Sequence, residues 1–347
     1  MINRFQLTAD YDISRVINGG WQLSDGHALQ TPNDMKDARN AFAKLLEEGF
    51  DTFDCADIYT GVEDFIGGLV KDRKASTGKD DIKVHTKFVP DLNELKTVDY
   101  DYVERIITRS LKRLNKERLD LVQYHWWDYE IKRYVEVAEH LVTLQKKGLI
   151  RNIACTNFDT PRLKDLLDAG IPVVSNQIQY SILDHRPEYE MVKLCKDRNV
   201  KLICYGSLSG GFLAEKWMNT LQPKSFENRS LVKYSLIIED TTGWDGYQTL
   251  LKMLQEMAQE KNCSVANIAS AYVLKREAVA AVIIGTRSSR HIEGNKKIFE
   301  IDLTEADIAK IDGYMAQYPL LEGEPFALER EVGGKHREIM KMNLADV

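Results

Sequence analysis

Short apolar runs that suit buried strands alternate along this chain, repeatedly, with stripes spaced three and four residues apart that suit half-buried helices. Nothing else in the sequence narrows the fold as far. Strands separated by helices pair in parallel, because a parallel pair needs a long crossover, and eight such units close into a filled barrel. The clearest unit has Ala38, Ala41, Phe42, Leu45 and Leu46 on one helical face, Gly49 as the stop, and Phe50, Thr52 and Phe53 as a strand ending near Asp54. The first strand is 15–18, closed by Gly19-Gly20. After the strand ending in Asp54 come a helix at 61–73, a strand at 82–88, a helix striped at Val103, Ile106, Ile107, Ser110, Leu111 and Leu114, and a strand at 119–125. The pattern continues with helix 133–146, strand 149–155, a helix capped by Thr160-Pro161 and stopped by Gly170, strand 173–178, helix 188–198 and strand 200–205.

Residues 206–245 then lose the periodicity, which predicts a long functional lid. Helices follow near 246–261 and after Ser264, then the eighth strand at 279–284 and its helix at 288–297. Thr304-x-x-Asp307 reads as a capping box before an extra helix. Residues 1–12 read as an extended cap and 319–347 as a tail, so the expectation is one (β/α)8 TIM barrel domain spanning 1–347. The rival fold is an open doubly wound sheet. It would have to bind a dinucleotide without a Gly-x-Gly-x-x-Gly turn after its first strand, and no Walker-type loop is present either.

Composition excludes more than it suggests. A net charge of −6 gives no footing for nucleic acid or an anionic membrane, and no apolar window long enough to span a bilayer occurs. Five cysteines, odd in number and without a Cys-x-x-Cys pair, point to reduced thiols and a cytoplasmic protein. Neither His-x-His nor His-Glu-x-x-His is present, so no metal site is expected.

In a closed barrel the carboxyl ends of the strands converge, and there the sequence places Asp54, Tyr59, Lys87 and His125. Each alone is ordinary: a turn carboxylate, a half-buried phenol, a snorkelling lysine, a core histidine. Together they form a device for protonating a carbonyl. A phenol needs a nearby cation to donate at neutral pH, the ammonium needs a buried counter-ion, and an imidazole N–H can hold the carbonyl oxygen.

With those residues in place the chain resembles the aldo-keto reductases over nearly its whole length. Gly49-Phe50-Asp51-Thr52-Phe53-Asp54-x4-Tyr59, His85-Thr86-Lys87 and Asp120-Leu121-x3-His125 carry the likeness. The resemblance implies a reductase that turns an aldehyde or ketone into an alcohol with a nicotinamide cofactor. Tyr59 is then the acid, Lys87 and Asp54 tune it, and His125 orients the small-molecule substrate. It implies further that Thr156, Asn157 and Gln177 bind the carboxamide, that Tyr205 stacks on the nicotinamide, and that Gly206, Leu208 and Gly210 approach the pyrophosphate. Gly285, Thr286, Arg287, His291 and Asn295 would clamp the adenosine phosphate. The chain departs from the family pattern at His291, where many members have arginine, and at Gly294, where they have an acid or amide, but Thr286 and Arg287 can still hold a 2′-phosphate, and NADP(H) is favoured over NAD(H). Trp21, Trp126 and Trp127 are candidate substrate walls. Two alternatives remain within the resemblance: a sugar or polyol dehydrogenase working in the oxidative direction, and a cofactor-binding regulatory subunit like the potassium-channel β subunits.

Overall fold

In the computed structural model, residues 2–24, 27, 35–285 and 288–340 are described. An antiparallel hairpin of β1 (Arg4–Thr8) and β2 (Tyr11–Ser14) precedes eight parallel strands. These are β3 (Val16–Gly19), β4 (Thr52–Asp54), β5 (Lys83–Phe88), β6 (Leu119–Tyr124), β7 (Ile150–Thr156), β8 (Val173–Gln179), β9 (Lys201–Tyr205) and β10 (Val279–Gly285). They follow one another in chain order, and β10 pairs back onto β3 to close the barrel. Between them run α1 (Met35–Glu47), α2 (Val62–Thr77), α3 (Tyr100–Leu114), α4 (Tyr134–Lys146), α5 (Thr160–Asp168), α6 (Met191–Asp197), α7 (Arg229–Asp240), α8 (Gly243–Glu260) and α9 (Val265–Leu274). After β10 come α10 (Ile292–Lys297), α11 (Glu305–Met315), α12 (Ala327–Arg330) and α13 (Lys335–Glu338).

The barrel is solid at one end and open at the other. Ile17, Leu121, Ala154, Ile203, Ala280 and Ala281 form a buried cluster inside it together with Leu7, Tyr11 and Ile13 of the hairpin, which therefore acts as a floor. His85 reaches that floor, with Nε2 3.1 Å from the Tyr11 hydroxyl. Chain direction is set at local stops. Gly49 adopts φ 91° after α1, a conformation that costs glycine little and other residues more, and Phe50 then starts buried. Ser264 and Thr304 make the two-way caps that open α9 and α11. The cap of α5 is Asp159, not Thr160: its carboxylate accepts from the Arg162 amide, while Thr160 bonds Glu324.

The expected lid at 206–245 is not a loop throughout. Its second half is helix α7, opened by Asn228, whose side chain accepts from Leu231, and buried along Leu231, Tyr234, Ile237 and Ile238. The stripe was present in the sequence but is masked by the polar stretch before it. The described part of the tail, 319–340, is likewise structured. Phe326 leads into α12, where Glu329 is fully buried, 2.8 Å from Lys233 and 3.5 Å from Arg186. Burial alone would raise its carboxyl, but the two cations outweigh that and hold it at about 2. Glu329→Gln is expected to cost about 2 kcal/mol in urea unfolding at pH 7, the scale of a lost charged hydrogen bond. A change under about 0.5 kcal/mol would mean that the tail is not anchored there.

Candidate active site

A cavity of about 690 Å³ opens at the carboxyl ends of the strands, and Asp54, Tyr59, Lys87 and His125 all line it. Asp54 is the last residue of β4 and lies in register with His85; Lys87 comes two residues further along β5, on the same face as His85, and its long side chain reaches back to Asp54. Lys87 Nζ donates to Asp54 Oδ2 at 2.7 Å and to the Cys55 carbonyl at 2.8 Å. An ammonium has three protons, and the third is left for Tyr59, whose ring centroid is 5.0 Å from Nζ. Asp54 holds the lysine's charge well above its usual range although burial works against it.

The other carboxylate oxygen, Oδ1, accepts from Gln123 at 2.8 Å and Gln177 at 2.6 Å. Gln123 was not anticipated. It sits two residues before His125, on the face that alternation turns inward, and that spacing was the available signal.

One expectation about proton placement needs correcting. Lys87 does pull the Tyr59 phenol down, but burial pushes it up more strongly, and the net shift is upward. The acid is therefore not pre-lowered by the lysine alone. His125 Nδ1 lies 3.1 Å from the Thr156 carbonyl oxygen, which can only accept, so Nδ1 carries the proton. Burial, then Arg330, push the imidazole down to about 3, so it is neutral at pH 7.

The walls around the four residues are aromatic. The Trp127 ring stands 4.3 Å edge-on from His125, Phe326 stands 5.7 Å from it, and Trp21 stands 5.0 Å from Tyr59. Trp21 and Trp127 line the cavity, but Trp126 does not. It is fully buried, its indole N–H donating to Asp128 and Ile131 carbonyls, because consecutive residues leave the strand end on opposite sides. Phe326 and Lys233 enter from the tail and from α7, and neither has a motif that marks it.

The cofactor positions separate into those the structure gathers and those beyond the described residues. Thr156, Asn157, Gln177, Tyr205, Gly206, Leu208, Gly210, Gly285, His291 and Asn295 all line the same cavity. Tyr205 donates to Asn157 Oδ1 at 2.8 Å, and Thr156 donates to the Gln177 carbonyl at 3.3 Å. Gln177's amide nitrogen is committed to Asp54 and Gln123, leaving its oxygen for a ligand. Glycine is required at 206 and 210, where φ is 76° and 66° and an added carbon would sit 2.1 and 2.6 Å from the Tyr234 side chain. Asn295 is buried, and among the described residues its Nδ2 has no partner, as befits a donor kept for a ligand. Thr286 and Arg287 lie outside the described residues. This set of amide donors, close-approach glycines and one aromatic platform fits a nicotinamide dinucleotide.

The Aldo/keto reductase family pattern matches residues 15–316. The chain belongs to the aldo/keto reductase family. It is 28% identical over 290 residues to a chloroplastic pyridoxal reductase of Arabidopsis thaliana, covering 80% of this chain and 73% of that one. It is 22% identical over 325 residues to an NADH-specific methylglyoxal reductase of Escherichia coli, covering 86% and 94%. Among solved structures, a glycerol dehydrogenase from Gluconobacter oxydans superposes with a TM-score of 0.76 at 22% identity, covering 93% of this chain and 97% of that one. An aldo-keto reductase from Bacillus halodurans gives 0.72 at 24%, covering 93% and 99%. As an aldo/keto reductase the protein is an NAD(P)-dependent oxidoreductase acting on small carbonyl compounds. No helix among the described residues is long and apolar enough to cross a membrane.

One acid beside the site behaves unusually. Asp57, two residues before Tyr59, is pushed up to about 8 by burial and then by Glu63, with Arg109 only 3.9 Å away to oppose it. Its folded value exceeds its unfolded one, so its contribution to stability is complete below about pH 4 and is lost as pH rises to 8. Asp57→Asn should abolish that slope: melting temperatures of variant and wild type should diverge by several degrees between pH 5 and 8, the variant higher at pH 8. Parallel curves would contradict the assignment.

Proposed function

We propose that Tyr59 supplies the proton, and Lys87 with Asp54 its electrostatic setting, in the reduction of an aldehyde or ketone with NADP(H). The observation that carries this is the placement of Lys87 Nζ, 2.7 Å from Asp54 and 5.0 Å from the centre of the Tyr59 ring, on the wall of the aromatic cavity. Bound in that cavity, a reduced nicotinamide supplies the hydride. Tyr59 meets the carbonyl oxygen with its O–H and stabilises the charge that grows there. Lys87, still charged through Asp54, then stabilises the phenolate left behind. Asn157 Nδ2 and Gln177 Oε1 offer the donor and acceptor that a carboxamide needs, while Tyr205 offers the stacking face. Trp21, Trp127 and Phe326 exclude water and suit a flat substrate.

The preference for the phosphorylated cofactor rests on Arg287 in the sequence and on Lys216 and His291, which line the cavity. Fluorescence titration with NADPH and NADH tests it: NADPH should bind at least about tenfold more tightly, as one charge-assisted contact allows. Equal affinities would reject the preference. We place the protein in the cytoplasm on its five cysteines, which are all free. The floor hairpin, barrel and residues 319–340 are taken to work as one domain, since the hairpin and α12 pack on the barrel. No feature of the site favours the polyol-oxidising or the regulatory alternative.

A further inference from the structure

We infer that Gln123 is a positioning residue of the reaction: out of reach of any ligand, it fixes the plane of the Gln177 amide and so ties recognition of the nicotinamide carboxamide to the Asp54–Lys87 pair. This rests on the nicotinamide reading of the cavity and deepens it. Three observations lead to it. Gln123 on β6 is fully buried and does not line the cavity, whereas Gln177 on β8 does. Both side chains meet one oxygen, Asp54 Oδ1, to which Gln123 Nε2 donates at 2.8 Å and Gln177 Nε2 at 2.6 Å. Gln177 Nε2 closes the triangle by donating its second proton to Gln123 Oε1 at 2.5 Å.

The three residues come from alternate strands, β4, β6 and β8, and so share one layer of side chains across the barrel. Such a layer is ordinarily filled by branched apolar residues, and here it is a polar network. A carboxylate oxygen only accepts, so both amide nitrogens face Asp54 and the Gln177 carbonyl is turned away from it, as an acceptor for the NH2 of a carboxamide. One hydrogen bond would leave the Gln177 amide free to pivot about it. The second, to Gln123, sets its plane; without it a buried N–H loses its acceptor and the amide turns to recover one. The other oxygen of the same carboxylate takes a proton from Lys87 at 2.7 Å, so a shift of Gln177 displaces Asp54 and with it the ammonium beside Tyr59.

Calorimetric titration of the purified protein with NADP+ and with its 3-acetylpyridine analogue, which has a methyl where the carboxamide has NH2, tests this. Wild type should bind NADP+ about 10-fold more tightly, the size of one buried hydrogen bond. In Gln123→Met, which keeps the length of the side chain and loses both halves of the amide, that ratio should fall below about threefold. The same variant should lose about 10-fold in kcat while the KM for the carbonyl compound changes by less than about twofold. A ratio of two affinities does not depend on how much of a preparation is folded, so a merely structural role would leave it unmoved. Gln177→Met should show the same loss of discrimination, and the double variant no further loss, because the two side chains act in series. Should Gln123→Met fail to fold, wild-type protein labelled with nitrogen-15 in its glutamine side chains decides: NADP+ should move the Gln123 amide signal, and the analogue should move it less. Equal affinities in wild type, an undiminished ratio in Gln123→Met, additive losses in the double variant or an unmoved Gln123 signal would each overturn the inference and leave the reductase assignment standing. Failure of wild type to bind either dinucleotide would instead overturn the nicotinamide reading, and the inference with it.

Discussion

Tyr59→Phe is expected to lower kcat/KM for carbonyl reduction by about 1,000-fold while changing the dissociation constant for NADPH by less than about threefold. The change removes one oxygen and keeps the ring that packs 5.0 Å from Trp21, so the cavity wall survives and only the proton is lost. Steady-state rates with a fluorescence titration on the same preparation check both halves. Retention of more than about a tenth of the activity would show that another group supplies the proton. The asymmetry between turnover and binding matters, because a merely structural tyrosine would weaken both.

Lys87→Met should do more damage to the fold than any other single change at the rim. It strips Asp54, 4% exposed, of its ion-pair partner and leaves a buried carboxylate with two amide donors from Gln123 and Gln177. Breaking a buried pair from one side costs about 3–5 kcal/mol, so the variant should unfold at distinctly lower urea and turn over at background rate. Adding Asp54→Asn should return much of that stability, because the uncompensated charge disappears, but none of the activity. If Lys87→Met loses less than about 1 kcal/mol, the pair is more solvated than its geometry indicates. The pH window is alkaline: Asp54 raises the lysine's folded value, so the pair's stabilisation is complete at neutral pH and is lost only above the lysine's ordinary range.

How much of this could be read in advance depended on the length scale of each signal. The barrel was legible because a strand or helix declares itself over several residues: the patterns over Phe50 to Asp54 and Ile82 to Phe88 read as strands, and the structure has strands at Thr52–Asp54 and Lys83–Phe88. The four rim residues followed from where those strands stop. Helix α7 was missed because residues 206–228, polar and rich in turns, dilute the Leu231, Tyr234, Ile238 stripe. Trp126 was misplaced because adjacent tryptophans cannot be assigned to opposite sides of a strand end without its register. Long-range contacts leave no local trace. The burial of Glu329 between Lys233 and Arg186 joins three segments, and the proton on His125 is decided by one carbonyl of the next strand.

The claim on which the rest depends is that the proton comes from a phenol and not from the imidazole beside it. Rapid mixing of the NADPH-loaded protein with a carbonyl substrate, followed at the nicotinamide absorbance from pH 5 to 10, separates the two. His125 is pushed down to about 3 and the Tyr59 phenol is held above its ordinary value, so neither titrates in that range and the rate should stay level from pH 5 to 10. A fall centred near pH 6.5, the ordinary histidine value, would contradict the account.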